Sequence, residues 1–237
     1  MTGEKEKMYK VIGNNKIKVN TIQIPSCEYY EIILKEKEIK ELLGKRISVK
    51  KLLQKTSMNL PKYIYPLIDK ANYISGGSRA YNVGKLHVLI KKCKFNSLNQ
   101  WKTWYNKKYP NAINIATHKI SKTVEQFIIN ITHKKRISTK EKRNIKKYSK
   151  RFIENLIFDK TFAGMKIQEV ILKKLSIMMK VQSTWATASD DSKGIDGYLG
   201  SIPVSIKPIT CNIKKKPGVK RINYTIKNNE IMFTFSS

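Results

Sequence analysis

Residues 194–208 constrain the fold of this chain more than any other stretch: Gly-Ile-Asp-Gly-Tyr-Leu-Gly-Ser-Ile-Pro-Val-Ser-Ile-Lys-Pro. They read as a β-hairpin with arms Ile195–Leu199 and Ile202–Lys207 around a Gly200-Ser201 turn. Glycine at the first turn position suits type II′. Counting outward, Leu199 faces Ile202, Tyr198 faces Pro203 and Asp196 faces Ser205. Lys207 then falls diagonal to Asp196 on the same face, about 7–8 Å away. Val204 and Ile206 point to the other face, where a core can take them. A carboxylate that can hold a divalent cation, beside a lysine that can act on water, is the minimum equipment for breaking a phosphodiester.

The charge balance names the partner for such chemistry. Lys and Arg number 48 against 17 Asp and Glu, a formal net charge of +31 over 237 residues. Self-repulsion on that scale calls for an anionic partner, first of all nucleic acid. With 41% hydrophobic residues the chain can still bury a core and is not a basic tail. It contains no run of about 20 apolar residues, which argues against a membrane-spanning helix. Met1–Met8 lacks the apolar core of a secretory signal, so a cytoplasmic protein is expected. Cys27, Cys93 and Cys211 form no CxxC pair and do not cluster with His87, His118 or His133, which argues against a zinc site or disulfide framework.

The pattern along the chain predicts α/β (α+β) architecture with a largely helical N-terminal part. Strands are expected within 9–24, around Gly13-Asn14-Asn15. Helices are expected over Glu28–Gly44, Val49–Leu53, Pro61–Lys70, Leu86–Lys92, Leu98–Tyr109 and Ile113–Ile131. Residues 71–85, with three glycines, Arg79 and two tyrosines, read as a structured loop. Ser138 to Glu141 has capping-box spacing and should open a helix reaching about Phe158. Ile167, Val170, Ile171, Leu175 and Met178 mark one face of a following helix. The chain closes on a second hairpin, with Ile222, Tyr224 and Ile226 in one arm, Ile231, Phe233 and Phe235 in the other, and Asn228-Asn229 as its turn. Taken linearly, 1–132 is expected to serve recognition and 133–237 catalysis, in two regions or one continuous domain.

Three features near the first hairpin favour a site over a solvated face. Pro208 leaves Lys207 at a strand tip. Gly194 and Gly197 flank Asp196 and would let a phosphate approach the backbone. Ser189–Lys193 forms a polar mouth. Glu169, on the edge of the upstream apolar stripe, is either a boundary residue paired with Lys173 at i,i+4 or a further metal ligand. Magnesium takes oxygen ligands and keeps several waters; Asp196, the Ile206 carbonyl and Glu169 are the candidate protein ligands.

Three segments, Lys160–Glu169, Gly194–Gly200 and Pro203–Pro208, resemble the PD-(D/E)xK nuclease superfamily and, more closely, type II restriction endonucleases of the MjaI type. Ser75–Lys85 and Trp101–Tyr105 resemble the same family. The resemblance implies a nuclease core with a mixed β-sheet flanked by helices. It also implies Mg2+-dependent cutting that leaves 5′-phosphate and 3′-hydroxyl ends, with a short palindrome, CTAG, as target. It places the metal-binding aspartate at Asp196, the catalytic lysine at Lys207 and the helix glutamate at Glu169. Ser205 departs from the pattern, because an acid is usual there and serine is a poor magnesium ligand.

For double-stranded DNA, the basic run Lys214-Lys215-Lys216 and Lys193 lie closest in sequence to the proposed site and are candidate phosphate contacts. Base reading is assigned to the 71–85 segment, with Arg79 for guanine and Asn72 or Asn82 for adenine. A palindromic target favours a two-fold homodimer. Two other readings stand beside this one: a non-catalytic nucleic-acid-binding protein, and a repair or junction-resolving nuclease on the same scaffold.

Overall fold

A computed structural model describes residues 9–12, 15–18, 29–44, 49–53, 60–77, 86, 89–90, 95, 97–133, 136–212 and 216–236. Arg79, Asn82, Lys214 and Lys215 lie outside these residues, as does most of the helix expected over Leu86–Lys92. The chain divides into two compact units, residues 1–54 with 166–237, and residues 55–165.

The first unit is built on a six-stranded mixed sheet in the order β3-β8-β7-β6-β5-β4. Its strands are β3 (Tyr29–Leu34), β4 (Ser183–Trp185), β5 (Gly197–Leu199), β6 (Ile202–Pro208), β7 (Lys220–Lys227) and β8 (Glu230–Ser236). All neighbours are antiparallel except β6 and β7, which run parallel. A separate antiparallel pair, β1 (Tyr9–Ile12) and β2 (Asn15–Lys18), sits at the N-terminal end as expected. The sheet's buried face is apolar: Ile32, Leu34, Val204, Ile206, Ile222, Ile231, Phe233 and Phe235 are all nearly inaccessible. Alternation at period two puts Ser205, Lys207, Arg221 and Asn223 on the other face.

Both predicted hairpins form. Leu199 pairs with Ile202 and Tyr198 with Pro203. Gly200 has φ +59 while Ser201 stays at negative φ, as type II′ requires. The last hairpin turns on Asn228 and Asn229, both left-handed at φ 53 and 59, the mark of type I′.

Other elements differ from the sequence reading. Residues 29–34 are a strand and not the start of a helix; α1 spans only Glu36–Leu43 and ends at Gly44. Ile32 and Leu34 are buried while Glu31 and Ile33 are exposed, a period-two pattern that pairing with β8 fixes. A short helix α2 follows at Val49–Leu53. Lys173 Nζ donates to the Leu42 carbonyl at 2.9 Å, satisfying the end of α1 from a distant helix.

The second unit is helical. Helix α3 (Ile64–Ser75) runs further than expected and stops where Gly76 turns left-handed at φ 60. Asn72 therefore stands on a helix, not in a loop. Then come α4 (Leu98–Lys108), α5 (Ala112–Thr132) and α6 (Thr139–Glu154). The capping box at Ser138 and Glu141 is present in both directions. Helix α6 does not end at a break. It passes through a π-helical segment, Asn155–Lys160, into α7 (Thr161–Met179), and the unit division falls within α7. A π segment displaces main-chain partners, and side chains take up two of the carbonyls. Trp101 Nε1 donates to Ile157 O at 3.0 Å and Thr161 Oγ1 to Leu156 O at 2.7 Å. Trp101 and Tyr105 are fully buried and pack with Phe95, Trp104 and Phe158. Trp101 and Trp104 stack on each other and the remaining rings meet at tilted or edge-on angles.

Candidate active site

The site begins where a β-ladder stops. Antiparallel pairing of β5 with β6 continues to Gly197 and Val204. The next hydrogen-bonded pair would join Ile195 to Ile206. Instead the Ile195 N–H donates to Asp190 O at 3.1 Å, and the Asp196 N–H donates to Val204 O at 2.8 Å. The main chain of Ile206 is thereby released on that edge, and two side chains take it. Its N–H donates to Asp196 Oδ2 at 2.7 Å, and its carbonyl accepts from Gln168 Nε2 at 3.2 Å.

Asp196 and Lys207 meet as expected, although the ladder stops before the expected Asp196–Ser205 pairing and the Asp196 N–H turns to Val204 O. Lys207 Nζ lies 3.0 Å from Asp196 Oδ1 and 2.9 Å from Oδ2. Ser205 Oγ comes within 3.4 Å of Oδ2. The aspartate side chain is 8% exposed and the lysine 26%, so the pair sits at a sheltered opening of the sheet. Tyr224 is close enough to feel the carboxylate. Burial, then the charge of Asp196, then Cys211 push its phenol up to about 12, and it remains protonated.

The flanking glycines serve packing. A Cβ on Gly197 would lie 2.8 Å from the Thr184 carbonyl and 2.9 Å from Leu172 Cδ1 of α7. Gly197 thus lets helix α7 and strand β4 close on the strand that carries Asp196. Gly194 adopts φ +77, and a Cβ there would meet the Lys216 side chain at 3.4 Å.

The polar mouth is also more ordered than a loop. Residues Ala188–Ser192 form a short helix, α8, capped by Thr187 and Asp190 in a second capping box. Asp190 is occupied by that work. Hydrogen bonds from the Thr187 hydroxyl, the Thr187 N–H and the Tyr198 hydroxyl hold its carboxyl below the usual carboxylate range. Lys216 Nζ donates to Ser192 O at 3.3 Å, so Lys216 and Lys193, far apart in sequence, flank the same turn.

Glu169 is placed differently from Asp196. Its Oε2 pairs with Lys166 and its Oε1 with Lys173, each at 2.8 Å and all on α7. Burial acts to raise its pKa, but the hydrogen bonds and charges of the two lysines outweigh it and hold the carboxyl below its ordinary value. The i,i+4 pairing with Lys173 is present. The residue of α7 that reaches the released Ile206 carbonyl is Gln168, which the sequence reading passed over. The only signal in the sequence was its place one step along the helix from Glu169; the expected hairpin arms still paired Ile206.

The donors around Asp196 suit a divalent cation. Hard cations take carboxylate, carbonyl, hydroxyl and water oxygens. Asp196 offers a carboxylate and Ile206 a carbonyl outside the ladder, held only by a neutral amide, with the Ser205 hydroxyl alongside. That donor set fits magnesium-type coordination completed by water. No cluster of three or more His, Cys, Asp or Glu residues suited to a metal occurs among the described residues, so a protein cage of carboxylates is not what this site offers.

Known proteins place the geometry in context. The family model described as MjaI restriction endonuclease matches residues 65–233. The chain is 35% identical over 173 residues to the type II restriction enzyme MthZI of Methanothermobacter thermautotrophicus, covering 73% of this chain and 75% of that protein. It is 34% identical over 189 residues to the type II restriction enzyme MjaI of Methanocaldococcus jannaschii, covering 75% and 81%. No solved structure matches it. Type II restriction endonucleases bind double-stranded DNA and generally need a divalent metal. No described helix is long and apolar enough to cross a membrane. With a mixed α/β fold consistent with a nuclease core and these relatives, the chain belongs to the MjaI restriction endonuclease family, type II enzymes that cut DNA at specific sites.

Proposed function

We propose that this enzyme makes Mg2+-dependent double-strand cuts at a short palindrome, CTAG, leaving 5′-phosphate and 3′-hydroxyl ends, and that it acts as a homodimer. The observation that carries this reading is the Asp196–Lys207 pair seated where Ile206 leaves the ladder. Asp196 and the Ile206 carbonyl are the protein's ligands for the cation, with the Ser205 hydroxyl beside them. When bound, the cation supplies Lewis acidity toward the phosphate and lowers the pKa of water. Lys207, freed from one carboxylate oxygen, orients the attacking water and stabilises negative charge growing on the phosphate. Water oxygen bonds to phosphorus and gives up a proton to solvent as the bond to the 3′-oxygen breaks, and that oxygen takes a proton from solvent. Glu169 acts from α7 by holding Lys166 and Lys173, and reaches a cation only by giving up one of them.

Catalysis belongs in this reading to the part of the chain after residue 133, with β3 lent to its sheet. Lys193, Lys216, Lys214 and Lys215 contact phosphates. Asn72 on α3, with Arg79 and Asn82, reads bases. Supercoiled plasmid with magnesium tests the whole: discrete fragments with CTAG at their sequenced ends are expected. Asp196→Ala and Lys207→Ala should abolish cleavage while DNA still shifts on a gel. Cleavage by either pure variant would remove the assignment, and nicking confined to branched DNA would favour the junction-resolving reading.

A further inference from the structure

We infer that Arg221 seats a second phosphate of the DNA backbone beside the one that is cut, and that Asn223 aims it. The inference rests on the proposed active site and extends it across one strand. Strands β6 and β7 run parallel, with Ser205 opposite Arg221 and Lys207 opposite Asn223. Adjacent strands lie about 4.8 Å apart. Residues alternate between faces, and Ile206 and Ile222 are buried on the other side. Ser205, Lys207, Arg221 and Asn223 therefore form a two-by-two patch on the site's face.

Arg221 is half-buried and held in place. Its Nε donates to Asn223 Oδ1 at 2.9 Å, and its Nη2 donates to the Cys211 carbonyl. These two acceptors are neutral groups, and they orient the guanidinium on this face. A guanidinium is a planar fork of five donors matched to phosphate oxygens, and a fork already oriented loses little freedom on binding. The Cys211 contact also ties the start of the β6–β7 connection to this patch, while Lys216 ties its far part to Ser192. The connection between the two strands is thus fastened at both ends beside the site.

The experiment measures DNA affinity of the full chain without divalent metal over a salt series, and single-turnover cleavage with magnesium. Arg221→Ala should flatten the slope of log affinity against log salt by about 0.9, the signature of one lost phosphate contact. It should weaken binding roughly tenfold to a hundredfold, equally on cognate and random DNA. Arg221→Lys should keep the slope but lose cleavage rate, because charge survives and the fork does not. Asn223→Ala should leave the slope and slow cleavage. An unchanged slope in Arg221→Ala, with loss of thermal stability alone, would make the arginine a strut and overturn the inference. If the alanine variant does not fold, Arg221→Gln carries the same slope test: a flatter slope supports the phosphate contact and an unchanged one overturns it. Failure of the Asp196–Lys207 reading appears separately, as cleavage retained in those variants.

Discussion

Asp196 and Glu169 are both held by lysines, but in different surroundings. Asp196, just before β5, gathers its partners from β6: the Lys207 ammonium, the Ile206 N–H and the Ser205 hydroxyl. Glu169 gathers partners from one turn of its own helix, Lys166 and Lys173, and Lys173 goes on to the end of α1. The ion pairs themselves are alike. What separates them is the company: beside Asp196 a main-chain carbonyl stands outside the sheet ladder, whereas Glu169 is clamped between two lysines of its own helix, one of which reaches on to the end of α1. An acid is marked as chemical by the coordination chemistry left open around it more than by its salt bridge.

The sharpest way to separate the two acids is to neutralise each in turn. Asp196→Asn is expected to slow cleavage by about 10³-fold or more, the scale of losing a directly acting electrostatic group. Glu169→Gln should slow it at least tenfold less than that. Equal losses in single-turnover assays would erase the distinction.

Stability should show the reverse emphasis. Glu169→Gln removes the carboxylate from both lysine pairs and should cost about 1.5–3 kcal/mol at neutral pH in urea unfolding. The Glu169 pKa is lowered in the folded state from 4.5. Its contribution is therefore complete above that value and fades as pH falls through the lower, folded value. The gap between wild type and variant should stay constant from neutral pH to about 4.5 and then close. A gap that widens with acid would contradict the lysine clamp.

Gly197→Ala probes the packing that sets Asp196 in place. The added methyl meets the Thr184 carbonyl and Leu172, so a loss of about 1–3 kcal/mol is expected, together with slower cleavage because the adjacent aspartate shifts. The smallest effect belongs to Gln168→Ala. Losing one neutral hydrogen bond to Ile206 should cost about 0.5–1.5 kcal/mol. Calorimetry that ranks Gln168→Ala above Gly197→Ala would make the amide, and not the close packing of α7, the main support of this edge.

Local signals were readable where the partners are close in sequence. The Gly200-Ser201 and Asn228-Asn229 turns, the Ser138 capping box and the meeting of Asp196 with Lys207 follow from contacts within a dozen residues. Longer-range decisions were not. Ile32, Ile33 and Ile39 fit helical spacing as well as they fit a strand, and only β8, some two hundred residues away, settles residues 29–34 as a strand. The same holds for Gln168 and Glu169. Adjacent helical residues point about 100° apart, so a small rotation of α7 on the sheet decides which one meets Ile206.

An acid and a lysine on one face of a tight hairpin, a cationic surface and a family likeness are all legible in the order of residues, because turn chemistry, period-two alternation and net charge are written residue by residue. Folding in three dimensions settled the rest: β3 joins the six-stranded sheet, Gly197 makes room for Leu172, Gln168 takes the Ile206 carbonyl, and Arg221 stands beside Ser205. Those outcomes depend on how a helix and distant strands dock, and docking is settled by the total packing of apolar faces, to which no single local stretch holds the answer.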